Sequence, residues 1–191
     1  MAYELRRRLV HASGAAIPGA YLLDEFLGVG IVTWELVQAV AVVGLVVTAI
    51  LEVLRLRVGL EWAIYEQLTR EYEQDSVAGY ALYVFGATVV VLAFDPRIAV
   101  PALFMLTIGD PISGILSTGG LRKQPRVLAA MFLVCLALAL PFVPVVAAIA
   151  GAVGATIADG FKPVVGGFVV DDNLSIPIVA AAAMAVVLAV L

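Results

Sequence analysis

The chain is poor in charge, has two lysines, and carries one cysteine and one histidine. Of its 191 residues 14% are charged and 63% hydrophobic, and the mean hydropathy is +1.10. A water-soluble domain of this length needs a charged surface around its core, so the composition points to an integral membrane protein forming one unit over 1–191. The apolar runs are long and do not alternate, which excludes an outer-membrane β-barrel. Cys135, inside FLVCLALAL, excludes an intrachain disulfide and a cysteine-based zinc site, and reads as a small buried hydrophobe. A single His11 excludes a histidine zinc site. With net charge −4 and no basic patch, nucleic acid is not an expected partner. A P-loop, an H-E-x-x-H helix and a G-x-S-x-G elbow are missing, and Gly28-Val29-Gly30 lacks the third glycine of a dinucleotide fingerprint.

What the chain does have is seven apolar segments, approximately 9–27, 34–54, 77–94, 97–116, 126–143, 144–161 and 174–191. Each approaches the ~20 residues that a helix needs to cross the hydrocarbon core. The expected fold class is all-α: a polytopic integral membrane helix bundle of about seven transmembrane helices. Arg6-Arg7-Arg8 resembles the n-region of a signal peptide, but further spans follow, and the first segment is read as a retained helix. Pro141 and Pro144 predict a tight turn between the fifth and sixth segments.

Basic residues in short loops set orientation. With the N-terminus in the cytoplasm, Arg6, Arg7, Arg8, Arg55, Arg57, Arg70, Arg122, Lys123, Arg126 and Lys162 lie inside and only Arg97 outside. The expected localisation is the cell membrane, multi-pass. The same topology gathers the polar islands ELRRRLVH, GDP, LRKQPR, ADGFK and VVDDN on the cytoplasmic face. Within 55–76, Leu60, Ile64 and Leu68 recur one turn apart beside Trp62 and Tyr65, predicting an amphipathic helix along the interface. Ala147, Gly151 and Ala155 allow close helix packing. Glu52 and Arg55 are spaced for an ion pair.

Three acids stand out in this apolar setting: Asp110 in LTIGDPISG, and Asp171 and Asp172 in VVDDNLSIP. An intramembrane carboxylate costs roughly 2.5–3.5 kcal/mol at a helix centre, which makes function the default reading. Mg²⁺ prefers oxygen ligands and bridges a few carboxylates to phosphates. Phosphoryl transfer in turn needs neutralisation and alignment more than covalent help. Asp110, Asp171 and Asp172 are therefore candidate Mg²⁺ ligands. Arg7, Arg8, Arg122, Lys123 and Lys162 are candidates to neutralise a triphosphate.

Gly109 and Pro111 flank Asp110 and predict a helix break that exposes backbone groups to a ligand. Asp171-Asp172-Asn173 also reads as the N-terminus of the last helix, with Pro177 in its first turns. A cap and a metal ligand are compatible roles. His11 shares a helical face with Glu4, Arg7 and Arg8; it reads either as a hydrogen-bonded packing residue or as a phosphate donor or proton relay. Asp159 and Lys162, three apart, either pair or join the site.

These islands resemble motifs of the dolichol kinase and phytol kinase family of membrane lipid-alcohol (polyprenol) kinases, archaeal members above all. ELRRRLVHASG looks like the family's opening Glu-x-x-Arg-Lys-x-x-His motif, with Arg8 in place of Lys. GDPISGILS looks like its Gly-Asp-x-x-Ala island, with Ser113 in place of Ala, and DDNLSIP looks like its Asp-Asp-Asn-x-x-x-Pro motif. The resemblance runs nearly end to end. It implies CTP as phosphoryl donor, Mg²⁺ as cofactor and an isoprenoid alcohol of the dolichol, polyprenol, phytol or geranylgeraniol type as acceptor. It further implies that Asp110, Asp171, Asp172 and Asn173 belong to the nucleotide–metal region, and that Arg7 and His11 are site members.

The expected catalytic set is thus Asp110, Asp171, Asp172 and His11. The expected phosphate-binding set is Arg7, Arg8, Gly109, Lys123, Lys162 and Asn173. Many members carry Lys-Thr-x-Glu-Gly where this chain reads RKQPRVLAAM, and Asp159 stands where a Glu is common. A CTP:lipid-phosphate cytidylyltransferase, making a CDP-lipid at a similar Mg–CTP site, is the alternative enzyme. A small transporter is the non-enzymatic alternative; charges gathered on one face argue against it.

Overall fold

A computed structural model describes residues 2–59, 62, 69, 76–117, 123–161, 164–165 and 168–191, with side chains from Arg8 onward except those of 164–165 and 168–169. Among the described residues the helices are, in order, α1 Ala2–Ser13, α2 Ala16–Leu27, α3 Trp34–Val58, α4 Gly79–Ala93, α5 Pro96–Leu116, α6 Pro125–Ala139, α7 Val145–Gly160 and α8 Asp172–Val190. A short antiparallel hairpin, β1 Val164–Val165 and β2 Phe168–Val169, joins α7 to α8, with Val164 opposite Val169 and Val165 opposite Phe168. The fold is helical as expected, apart from this two-rung ladder.

Local chemistry sets the boundaries. Thr33 caps α3, its hydroxyl accepting the Leu36 N–H at 3.3 Å, and Glu35 adds negative charge in the first turn. Gly28 ends α2 in the left-handed region at φ 66°. The buried Asp24 then accepts the N–H groups of Gly30 (2.9 Å) and Ile31 (3.1 Å), closing the turn into α3. The glycines of 28–30 thus shape a turn. Pro96 and Pro125 open α5 and α6, where a missing N–H is harmless. Pro144 precedes α7, so the expected turn between the two prolines is present.

The first expected segment is two helices rather than one. The N–H groups of Gly14 and Ala15 bond back three residues, to His11 and Ala12, which tightens and ends α1. A Cβ on Gly14 would lie 1.6 Å from the Tyr83 hydroxyl, so any larger residue there would have to displace the Tyr83 ring. The expected interfacial helix falls largely outside the described residues. Its flanks are tied together: the buried Glu52 accepts both Nε (3.0 Å) and an Nη (2.8 Å) of Arg55, the Ala78 N–H at 3.2 Å and the Tyr80 hydroxyl. Arg55 also donates to the Ser76 carbonyl at 2.6 Å, so the expected ion pair joins the end of α3 to the start of α4.

The centre of the bundle is α8, packed on α7, α4 and α5. Small residues let it sit there. Ala147, Gly151 and Ala155 are buried, and an added Cβ at Gly154 would lie 3.1 Å from the Val179 carbonyl. Met105, Leu106, Met131, Cys135, Ile176, Ala180 and Met184 fill the interior. The outer faces are apolar: Val43, Val46, Val47, Ile50 and Val53 on α3, Leu133 on α6, Ile157 on α7 and Val186 on α8 are all exposed. An outside this oily matches a lipid solvent.

Helices α3, α5 and α8 are long and apolar enough to cross a membrane. Helices α4, α6 and α7 have 15, 15 and 16 residues. At about 1.5 Å per residue they reach only part of a core of about 30 Å.

Gly151→Val tests the α7–α8 seam. A Cβ at Gly151 would stand 2.6 Å from Met184 Cγ, and the expected loss is about 1–3 kcal/mol. Gly19→Ala on α2, where nothing lies within 4 Å, is expected to be neutral or slightly stabilising. Thermal unfolding of both variants in detergent micelles gives the comparison.

Candidate functional site

The site begins with a defect in α5. Pro111 has no N–H, so a regular helix would leave the Thr107 carbonyl without its partner. Instead Met105–Gly109 forms a π-helical turn, and the Asp110 N–H bonds to the Met105 carbonyl five residues back. In that register the orphan carbonyl is Leu106, whose partner would be residue 111. His11 Nε2 on α1 donates to it at 2.9 Å. The expected break is therefore a widened turn in a continuous helix. It places Asp110 on the side of α5 that faces α1 and satisfies the freed backbone group with a histidine.

Gly109, beside Asp110, is buried on the α6 side of the turn. A Cβ there would lie 3.2 Å from Met131 Sδ and Cys135 Sγ, so Gly109 sets the close approach of the two helices.

Three carboxylates converge beside the turn. Ligand oxygens of Asp110, Asp159 and Asp172 lie within 4.8 Å of one another, with Asp159 and Asp172 buried. They come from the residue just after the π turn of α5, the last turn of α7 and the first residue of α8. Lys123, just before α6, reaches in: its ammonium bonds Asp159 Oδ1 and Ser113 Oγ (2.9 Å) and lies 4.0 Å from Asp110 Oδ1. Ser113 Oγ donates to Asp159 Oδ2 at 2.7 Å.

The trio differs from the expected one by one member. Asp171 is the N-cap of α8, its Oδ1 accepting the Asn173 N–H at 3.0 Å, and Asp159 stands in the group in its place. The sequence signal for Asp159 was an acid in the last turn of an otherwise apolar helix. Ser113, unremarked as a polar anchor, holds that acid.

Helix α1 supplies the other wall. Its His11 Nδ1 lies 3.8 Å from Asp110 Oδ2, and its ring meets Tyr83 edge-on at a centroid distance of 4.8 Å. Because a carbonyl only accepts, Nε2 carries the proton of the neutral ring and Nδ1 the lone pair. The Arg8 guanidinium packs over Gly114, one turn beyond Asp110. The side chain of Arg7, and Arg122 and Lys162 altogether, lie outside the described residues. Asn173 is buried at 5% exposure, and among the described residues its Oδ1 and the Thr107 Oγ1 of the π turn have no hydrogen-bond partner. A cleft of about 190 Å³ adjoins, lined by Val10, His11, Gly79, Tyr80, Tyr83, Val84 and Asn173.

The donor chemistry fits a hard divalent cation. All three candidate ligands are carboxylate oxygens, as Mg²⁺ prefers, so Asp110, Asp159 and Asp172 are the residues that would hold it. Lys123 is the cation that bonds Asp159 and lies near Asp110, with His11 on the other side of Asp110. No family model, curated protein or solved structure matches the chain.

Removing a carboxylate from the trio is expected to weaken divalent-cation binding. Asp110→Asn, Asp159→Asn and Asp172→Asn should each raise the Mn²⁺ Kd by roughly 10-fold or more. Asp171→Asn, which keeps a capping oxygen, should leave it nearly unchanged. Electron paramagnetic resonance titration of Mn²⁺ in nanodiscs reads the four values.

Proposed function

We propose that this chain is a seven-span membrane enzyme, N-terminus in the cytoplasm, that transfers the γ-phosphoryl group of CTP to an isoprenoid alcohol at the cytoplasmic face. The observation that carries the reading is the Asp110–Asp159–Asp172 cluster beside Lys123, held inside an apolar bundle. Supporting it are the three motifs that resemble the dolichol and phytol kinase family, two of which contribute Asp110 and Asp172 to that cluster. The bias of basic residues toward one set of loops supports the orientation.

In this reading Asp110, Asp159 and Asp172 hold Mg²⁺, which when bound supplies charge neutralisation and alignment for the triphosphate. Lys123 and Arg8 add positive charge beside the transferred group. The alcohol oxygen forms a bond to the γ-phosphorus, the bond from that phosphorus to the β–γ bridging oxygen breaks, and CDP leaves. The hydroxyl proton passes to His11 Nδ1, where the resulting imidazolium faces Asp110 at 3.8 Å. Leu106 holds the ring in the tautomer this step needs.

The direct test is purified protein in nanodiscs with Mg²⁺, γ-labelled CTP and isoprenoid alcohols of several lengths. The expected products are lipid phosphate and CDP, with Asp110→Asn lowering the rate by roughly 10²-fold or more. Pyrophosphate and a CDP-lipid formed from a lipid phosphate would assign the cytidylyltransferase chemistry instead. No nucleotide turnover with any acceptor would contradict the enzyme reading.

A further inference from the structure

Helix α7 carries an exposed apolar stripe along its whole length. Val145, Ile149, Val153 and Ile157 recur four apart, and Phe161, the residue that caps the helix, continues the series. In a bundle surrounded by lipid that stripe is the lipid-facing side of α7, and it leads straight into the hairpin. Between Gly160 and Asp171 the sequence FKPVVGGFVV has one charged residue. Cross-strand partners share a face, so Val164 and Val169 lie on one face of the ribbon and Val165 and Phe168 on the other. Both faces are therefore apolar. A sheet that meets water on one side alternates apolar and polar positions, and an isolated two-stranded hairpin is marginal in water.

Height adds a second constraint. The 16 residues of α7 span about 24 Å, short of a hydrocarbon core of about 30 Å. Two strand residues add about 6–7 Å, so helix and hairpin together match the core. The ribbon cannot sit deep within it. Among the described residues its sheet has two strands, each with an open outer edge, and open edges do not persist inside hydrocarbon.

We propose that the hairpin is a membrane-boundary anchor, in which Val164, Val165, Phe168 and Val169 lie among the glycerol and upper acyl carbons of the surrounding lipid and the strand edges are hydrated by headgroup water. The partner is the bilayer itself, met by continuation of the α7 stripe. The anchor is tied to the carboxylate cluster at both ends, because Asp159 lies in the last turn of α7 and Asp172 opens α8. Its seat at the boundary thus sets the depth of the cluster in the membrane. The anchor does not depend on the phosphoryl-transfer reading.

Spin labels on the full chain in nanodiscs test the proposal. Cys135→Ala removes the one thiol. Val164→Cys, Val165→Cys, Phe168→Cys and Val169→Cys are then labelled one at a time, so that a variant that fails to fold leaves the others. Val153→Cys on the stripe marks the hydrocarbon, and Asp95→Cys, exposed between α4 and α5, marks water. Molecular oxygen partitions into hydrocarbon and a neutral nickel chelate into water, so the ratio of their collision rates reports depth. On at least one face of the ribbon the ratio is expected to be several-fold above that of Asp95→Cys and below that of Val153→Cys. Ratios matching Asp95→Cys on both faces would put the hairpin in water and overturn the proposal. Labels closed to both reagents, which would mean a hairpin packed against protein, would overturn it equally, as would ratios on both faces matching Val153→Cys.

Discussion

Negative charge inside an oily bundle is the constraint on which this structure turns. Asp110, Asp159 and Asp172 meet from three helices beside a core of methionine, alanine, leucine and isoleucine, with Asp159 and Asp172 buried. Lys123 and Ser113 satisfy Asp159. His11 and Lys123 face Asp110 from opposite sides. A carboxylate cluster this expensive to bury is the reason for the proposal that it holds a divalent cation.

The rest of the architecture serves that convergence. The π turn of α5 exists because Pro111 cannot donate, and its by-product, the freed Leu106 carbonyl, is what fastens α1 to the site through His11. Gly14 lets α1 pass beneath Tyr83, Gly109 lets α5 meet α6, and Gly86 lets α4 approach the start of α8, where a Cβ would lie 3.1 Å from the Asn173 carbonyl. Each glycine removes bulk at a helix crossing close to the acids. The Glu52–Arg55–Tyr80 network joins the ends of α3 and α4 and so fixes the far wall of the neighbouring cleft. Packing and chemistry here are one arrangement.

Much of this was legible in the sequence because apolar runs mark helices regardless of partners. The boundaries of α3 to α8, the packing role of Ala147, Gly151 and Ala155, the burial of Cys135 and the Glu52–Arg55 pair follow from spacing alone. The expected topology puts Asp110 and Asp172 on one face, and the family resemblance adds His11 to them; the structure brings the three together. Asp171 is the cap that its position at a helix start predicts, accepting the Asn173 N–H, and Asp172 is the member of the pair that groups with Asp110 and Asp159. In the sequence Asp159 is open either to pair with Lys162 or to join the site; its link to Lys123 depends on where the ends of α6 and α7 meet, which the Pro141–Pro144 turn permits without fixing. The split at Gly14 and the two-rung hairpin before α8 likewise arise from tertiary contact or short-range turn geometry too slight to leave a periodic signal.

The central claim is that three particular carboxylates form one cation site. Anomalous diffraction from crystals grown with Mn²⁺ addresses it without recourse to activity. The account predicts a single peak within bonding distance of Asp110, Asp159 and Asp172, with Asp171 still capping α8. A peak coordinated by Asp171, or a fully loaded crystal with no ion between the three, would contradict it.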